Sequence, residues 1–218
     1  SPTLIFTHGA GGTLSTTAVV DFCNGYSTSH PVLAFRGSMN LGARVKGFHA
    51  CMEHLDASQS ADDKGEKKLV LGGRSMGARA AVIAANKIHI LNEDDVKEVD
   101  LILVSYPLKT TGQIREDILL ELPASISVLF VVGSKDAMCP IGLLNRVRKE
   151  MKAKSWLVVM DGADHGMHLK PVQAEKALGE MSGRLAAEWV GGKREEGVER
   201  VWWKEEGDEV QRGTWSER

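Results

Sequence analysis

The sequence has no long apolar run, no excess of one charge and no signal-peptide pattern at its start. No apolar stretch reaches the roughly 20 residues that a membrane-spanning helix needs. The formal net charge is only -2 over 218 residues, which gives no electrostatic reason to expect binding to nucleic acid or to an acidic membrane. We therefore expect an intracellular protein, cytoplasmic or nuclear, that binds neither nucleic acid nor a membrane. Because the chain starts without Met, the presence of an upstream targeting segment is left open.

Cysteine is also scarce. Cys23, Cys51 and Cys139 are an odd number and lack the spacing of metal ligands. This pattern predicts reduced, mostly buried thiols and no metal site.

The length of the chain is sufficient for one large core and too short for two full domains.

Short apolar runs alternate with longer helical patterns along most of the chain, which is typical of a parallel sheet with crossover helices. Because most of the runs are continuously apolar, we expect helices on both faces of a mostly parallel sheet of about six strands. The predicted strands are Thr3–Thr7, Val32–Phe35, Leu69–Gly73, Leu101–Ser105, Ser127–Val132 and Trp156–Met160. The predicted helices are Ser15–Cys23, Leu41–Leu55, Met76–Lys87, Gly112–Glu121, Ile141–Met151 and Pro171–Val190.

The composition changes after residue 190, so we predict an α/β domain over residues 1–190 and a charged, Trp-containing tail over 191–218. Glu199–Trp203 and Glu209–Trp215 flank Glu206-Gly207-Asp208, a sequence suited to a tight hairpin turn. The alternative is a disordered appendage whose Trp side chains dock on the domain or on a protein partner. The sequence does not decide between them.

The strongest chemical signal is Gly73-Arg74-Ser75-Met76-Gly77, which lies between a predicted strand and a predicted helix. The G-x-S-x-G pattern in this position is typical of a nucleophile elbow, a strained turn that exposes the serine hydroxyl above the carboxyl ends of the strands. Side chains at Gly73 and Gly77 would collide with neighbouring backbone in such a turn. Ser75 is therefore the predicted nucleophile.

Asp136 and His165 each follow a later predicted strand, so the chain order is Ser, Asp, His. In this arrangement His165 takes the Ser75 proton and returns it to the leaving group, while Asp136 orients the imidazole. Nearby rivals are His168 for the base and Asp161 or Asp164 for the acid, and we rank all three behind. The activated nucleophile needs no metal or organic cofactor.

A glycine-rich turn, His8-Gly9-Ala10-Gly11-Gly12, follows the first predicted strand. Backbone N–H groups in such a turn can face a substrate oxyanion. The expected donors are the N–H groups of Ala10 and Met76, with Gly11 as a further candidate, while His8 is expected to brace the turn.

Four further residues complete the predicted site. Arg36, just past the second strand, and Arg74 are candidates to contact an anionic acyl group; the alternative for each is an ion pair with a surface carboxylate. Tyr106, with Gly11, is predicted to contact substrate, although core packing is an equal alternative for this tyrosine. Cys139 is expected to pack rather than react.

Together these features resemble the α/β-hydrolase superfamily over residues 2–190. The segments FTHGAGG, GGRSMGARAA, SYPL and VVGSKDAMCP are similar to the branch of testis-expressed hydrolase-like proteins and the NSL chromatin-complex subunit, with dienelactone-hydrolase-like relatives. The resemblance implies nucleophile, acid and base roles for Ser75, Asp136 and His165, and an oxyanion hole at Ala10 and Met76.

The resemblance also implies that the first strand corresponds to the third of the full fold, so an open sheet edge could pair in a homodimer. The interval from Leu108 to Ser125 is too short for a cap domain. Two functions follow from these features: an esterase or thioesterase that acts on a small acyl substrate through an acyl-enzyme, and a non-catalytic interaction module that recruits partners. Acyl transfer to an acceptor other than water would use the same residues.

Overall fold

The computed structural model describes residues 3–58, 68–91, 98–192 and 197–213, with backbone only for 89–91. Ten strands are present in this part of the chain: β1 Leu4–Thr7, β2 Val32–Phe35, β3 Leu69–Arg74, β4 Val99–Val104, β5 Lys109–Thr110, β6 Gln113–Ile114, β7 Ile126–Gly133, β8 Lys154–Met160, β9 Val198–Lys204 and β10 Glu209–Arg212. The helices are α1 Thr17–Tyr26, α2 Leu41–Ala57, α3 Met76–Leu91, α4 Asp117–Leu120, α5 Ile141–Glu150 and α6 Val172–Val190.

Eight of the strands form one sheet in the order β10-β9-β8-β7-β4-β3-β1-β2. All neighbours in this sheet are parallel except β9 and β10, which are antiparallel. The prediction of a mostly parallel sheet is confirmed. The sheet has more strands than the expected six because the C-terminal hairpin joins it, with β9 parallel to β8.

Helices cover both faces of the sheet, as predicted. Side chains alternate along each strand, so Ile5 faces one core and its neighbours Leu4 and Phe6 face the other. The first core contains buried residues of α2, α3 and α5, and the second contains those of α1 and α6. This arrangement leaves the carboxyl ends of the parallel strands as the edge where connecting loops meet.

The predicted helix Gly112–Glu121 is wrong over its first half. Gly112 has a φ of +76° and turns the chain between β5 and β6, and the Arg115 N–H donates to the Leu108 carbonyl at 2.7 Å. The short hairpin therefore leaves only α4 as a helix in this segment. No separate cap domain lies between β4 and β7, where every residue is described. Other predicted elements are present with shifted ends; α1, for example, runs to Tyr26 instead of Cys23.

After residue 197, β9 and β10 form a hairpin, which was one of the two alternatives predicted for the tail. Arg212 on β10 donates to the fully buried Glu199 carboxylate at 2.6 and 3.3 Å and contacts Glu188 of α6 at 3.1 Å. These contacts attach the hairpin to the last helix. Trp215 lies outside the described residues. None of the helices in the described part has the length and apolar character required to cross a bilayer.

Candidate active site

Ser75 lies at the turn between β3 and α3, at the carboxyl edge of the sheet. Its φ of 53° is in the left-handed region, where a non-glycine residue is strained. The Ser75 N–H donates to the Val104 carbonyl of the neighbouring strand at 2.9 Å, which fixes the turn against β4. A Cβ on Gly73 would come within 2.5 Å of the Gly77 carbonyl carbon, and one on Gly77 within 2.5 Å of the Thr7 carbonyl oxygen. The two glycines are therefore required by close backbone approach.

The loops after β7 and β8 bring Asp136 and His165 to Ser75. The Ser75 Oγ lies 3.0 Å from His165 Nε2. On the other side of the ring, His165 Nδ1 lies 3.0 and 2.9 Å from the two carboxylate oxygens of Asp136. Because the carboxylate only accepts, Nδ1 carries the proton and Nε2 is free to accept from the serine hydroxyl. The three side chains form one continuous hydrogen-bonded chain.

The carboxylate of Asp136 is held from behind by its own loop. The backbone N–H groups of Met138 and Cys139 donate to Asp136 Oδ1 at 2.8 and 3.1 Å. The Asp136 side chain has no exposed surface, whereas 22% of the His165 side chain is exposed. The acid is thus held in one orientation, and the imidazole can be reached from solvent.

The rival residues point elsewhere. His168 is 65% exposed and contacts Asp164 at 3.2 Å, and Asp161 forms an ion pair with Arg200 at 3.3 Å. Cys139 is fully buried, and burial together with the charge of Asp136 raises the pKa of its thiol. A neutral buried thiol is a poor nucleophile, so the structure places Cys139 in packing rather than chemistry.

The glycine-rich turn after β1 lies beside the elbow. The His8 ring spans two loops: Nδ1 lies 2.8 Å from the Gly9 carbonyl, and Nε2 accepts from the Gly37 N–H at 3.0 Å. The Gly11 N–H is already directed at the Met39 sulfur, at 3.1 Å. Among the described residues, neither the Ala10 nor the Met76 N–H donates to a loop, turn or side-chain acceptor.

A buried arginine supports this turn. Arg44 of α2 donates from Nη1 to the His8 carbonyl, from Nε to the Ser38 carbonyl at 2.9 Å and from Nη2 to the Gly37 carbonyl at 3.3 Å. It is fully buried and has no carboxylate partner in the described residues; burial accordingly lowers the pKa of its guanidinium. No sequence signal identified Arg44, because its partners are backbone atoms of loops more than five residues away.

Arg74 joins the two sides of the site. Its Nη2 donates to the His165 carbonyl at 2.6 Å, and a Cβ on Gly9 would lie 2.9 Å from its Nη1. Burial lowers the pKa of Arg74, while the charges of Asp136 and Asp164 oppose that shift. The guanidinium therefore lies between the loop that carries His165 and the glycine-rich turn. The sequence predicted that Arg74 contacts substrate, and this contact between two loops was not predicted.

The two remaining predicted contacts differ in exposure. Arg36 is exposed directly after β2 and forms no ion pair with a described residue. Tyr106 is fully buried after β4, with its hydroxyl donating to the Arg115 carbonyl at 2.9 Å. Among the described residues no group of three or more His, Cys, Asp or Glu side chains is arranged to bind a metal ion.

A mostly parallel sheet with a serine at a strand–helix elbow and a histidine–aspartate pair from later loops defines the α/β-hydrolase class. A family model described as an alpha/beta hydrolase domain matches residues 1–191. The chain belongs to the α/β-hydrolase family.

Solved structures share the fold at low sequence identity. Est1E from Butyrivibrio proteoclasticus is 17% identical with a TM-score of 0.62, covering 87% of this chain and 88% of its own. An alpha-beta serine hydrolase homologue from Coxiella burnetii is 20% identical with a TM-score of 0.60, covering 82% and 84%. A serine hydrolase without a lid from Xanthomonas campestris is 19% identical with a TM-score of 0.56, covering 81% and 78%. These likenesses concern the fold.

Proposed function

We propose that the protein is a serine hydrolase that cleaves an ester or thioester of a small acyl substrate through an acyl-enzyme on Ser75. The observation that carries this proposal is the unbroken chain of hydrogen bonds from Ser75 Oγ through His165 to Asp136, at 3.0 and 2.9 Å. A serine hydroxyl is a weak nucleophile unless a positioned base takes its proton, and this geometry supplies that base.

In the acylation step, Ser75 Oγ attacks the substrate carbonyl while His165 Nε2 takes the hydroxyl proton. The Ala10 and Met76 N–H groups donate to the oxyanion that forms, and the imidazolium is stabilised by Asp136. His165 then protonates the departing alcohol or thiol. In deacylation, water attacks the acyl-enzyme with the same histidine as base, which releases the acid and regenerates Ser75.

Backbone strain and loop support favour this role. The positive φ of Ser75 and the bracing of the glycine-rich turn by Arg44 both restrict the site before substrate arrives. Preorganised donors of this kind need no rearrangement as charge develops. Within the family, the segments FTHGAGG and GGRSMGARAA support placement in the branch of the testis-expressed hydrolase-like proteins and the NSL chromatin-complex subunit. We propose an intracellular location on the same resemblance.

Labelling by a fluorophosphonate probe tests the proposal. The parent should label, and both Ser75→Ala and His165→Ala should lose labelling, because the first lacks the nucleophile and the second its base. His168→Ala is the matched control: this histidine is exposed and hydrogen-bonded to Asp164, so its variant should label like the parent. A folded parent that does not label would contradict the proposal and favour a non-catalytic interaction module.

A further inference from the structure

Met39 is an exposed apolar residue in contact with the glycine-rich turn. It lies in the loop between β2 and α2 and is 68% exposed. Its sulfur accepts a hydrogen bond from the Gly11 N–H at 3.1 Å. Ala10 and Gly11 are exposed as well, so this contact lies on the side of the turn that faces solvent. A molecule that approaches the turn from solvent therefore meets the Met39 side chain.

The turn that contacts Met39 also contacts the nucleophile. A Cβ on Gly9 would lie 3.3 Å from Ser75 Cβ, so the backbone of the turn packs directly against the elbow. The Gly12 N–H donates to the Gly9 carbonyl at 3.4 Å, which closes the turn and keeps Gly11 near this contact. A Cβ on Gly11 would meet no atom within 4 Å. Met39 therefore lies beside a position that is open to a ligand, on a turn that borders Ser75.

The backbone on both sides of Met39 is held in place although the side chain is exposed. The Ser38 carbonyl accepts from Nε of the buried Arg44 at 2.9 Å. The Asn40 N–H donates to Ser38 Oγ at 3.1 Å, and the Asn40 side chain caps α2. An apolar group that packs on Met39 therefore does not have to order the loop first, which lowers the entropic cost of the contact.

An exposed methionine next to a reactive serine suits an aliphatic ligand. Covering apolar surface is favourable in proportion to the area removed from water, and the flexible thioether side chain adapts to chains of different shape. Building on the proposed hydrolase function, we propose that Met39 determines substrate specificity by packing against an aliphatic chain of the substrate while the substrate carbonyl lies at Ser75. The chain belongs either to the acyl group or to the leaving alcohol or thiol, and the experiment distinguishes the two.

Kinetics with two pairs of esters test this proposal. p-Nitrophenyl hexanoate and p-nitrophenyl acetate differ in the acyl chain, whereas hexyl acetate and methyl acetate differ in the alcohol. In Met39→Gln the ratio of kcat/KM for the long over the short ester should fall about 3- to 10-fold in one pair, because apolar contact area is lost. A fall in the first pair assigns the contact to the acyl chain, and a fall in the second assigns it to the alcohol. Unchanged ratios in both pairs would overturn the proposal.

Two further variants separate the apolar contact from the hydrogen bond to Gly11. Glutamine retains an oxygen that can accept from the Gly11 N–H, whereas Met39→Leu keeps the apolar surface without an acceptor, so Met39→Leu should keep the ratio of the parent. Trp202→Gln removes an exposed apolar side chain from β9, which is separated from β2 by five strands of the sheet, and should also keep it. An equal loss of the ratio in either variant would overturn a specific contact at Met39.

Binding to Ser75→Ala separates this proposal from the catalytic one, since that variant cannot form the acyl-enzyme. The protein carries 13C in its methionine methyl groups and is titrated with ethyl hexanoate and with hexyl acetate, and the Met39 resonance is identified by its loss in Met39→Gln. We expect a saturable shift of this resonance with at least one ester and none for Met181 on α6. No shift at Met39, or equal shifts at both methionines, would overturn the contact whether or not the parent hydrolyses esters. A shift at Met39 in a protein whose parent does not react with fluorophosphonate would support the contact and contradict only the catalytic proposal.

Discussion

The two sides of Ser75 are built in different ways. On the acid–base side, functional side chains contact one another, and Asp136 is held by N–H groups from its own loop. On the oxyanion side, the expected donors are backbone N–H groups, and the glycine-rich turn is held by Arg44 from a helix that begins some thirty residues later in the chain. A site can therefore carry chemistry in local motifs while depending on distant side chains for its shape.

Breaking the acid–base side should have the largest effect. In Asp136→Asn the N–H groups of Met138 and Cys139 would hold the amide oxygen, so the NH2 group faces His165 Nδ1 and favours the tautomer that cannot take the Ser75 proton. We expect kcat to fall on the order of 1,000- to 10,000-fold, with the fold retained, as measured by ester hydrolysis and circular dichroism. A decrease of less than tenfold would show that Asp136 is not the orienting acid.

Breaking the oxyanion side should have a smaller effect on rate. Arg44→Met removes donors to the carbonyls of His8, Gly37 and Ser38, so the turn loses its support. We expect kcat to fall on the order of 10- to 100-fold, less than or comparable to the loss of one oxyanion donor.

Arg148 provides the matched control for Arg44. It is also buried and donates to the Ser155 and Gly197 carbonyls, but near the amino end of β8, at the opposite edge of the sheet from Ser75. Arg148→Met should lower the melting temperature while kcat of the folded protein stays near that of the parent. If both variants lose stability and neither loses rate, Arg44 supports the fold alone.

The C-terminal hairpin belongs to neither side of the site, so its disruption should separate stability from activity. Arg212→Ala removes the contacts to Glu199 and Glu188. Because Arg212 is 39% exposed, solvent screening limits the expected loss to about 1–2 kcal/mol in the free energy of unfolding. Urea denaturation measures it, and a change in kcat at equal folded fraction would link the hairpin to the site.

Alkylation of the cysteines should have the smallest effect. Burial raises the pKa of all three thiols, to about 12 for Cys23, so each is protonated at pH 8. A thiol whose pKa is raised above the working pH has little thiolate available to react. Iodoacetamide at pH 8 should leave ester hydrolysis unchanged, and rapid inactivation with modification at Cys139 would contradict the burial argument.

The same contrast explains what the sequence allowed us to predict. The Ser75 elbow and the strand-end positions of Asp136 and His165 are local patterns, and the structure brings these three residues together as expected. Arg44 could not be assigned, because a lone arginine in a helical pattern carries no sign of its distant partners. The helix predicted at Gly112–Glu121 failed for a similar reason: the positive φ of Gly112 and the bond from Arg115 to Leu108 depend on tertiary packing.

Trapping the acyl-enzyme tests the central claim most directly. The protein would be mixed with a p-nitrophenyl ester, quenched in acid within the first turnovers and analysed by intact and peptide mass spectrometry. We predict a mass increase equal to the acyl group on the peptide containing Ser75, absent from Ser75→Ala. Ester cleavage without acylation of Ser75, or acylation at another residue, would contradict the assignment of Ser75 as the nucleophile.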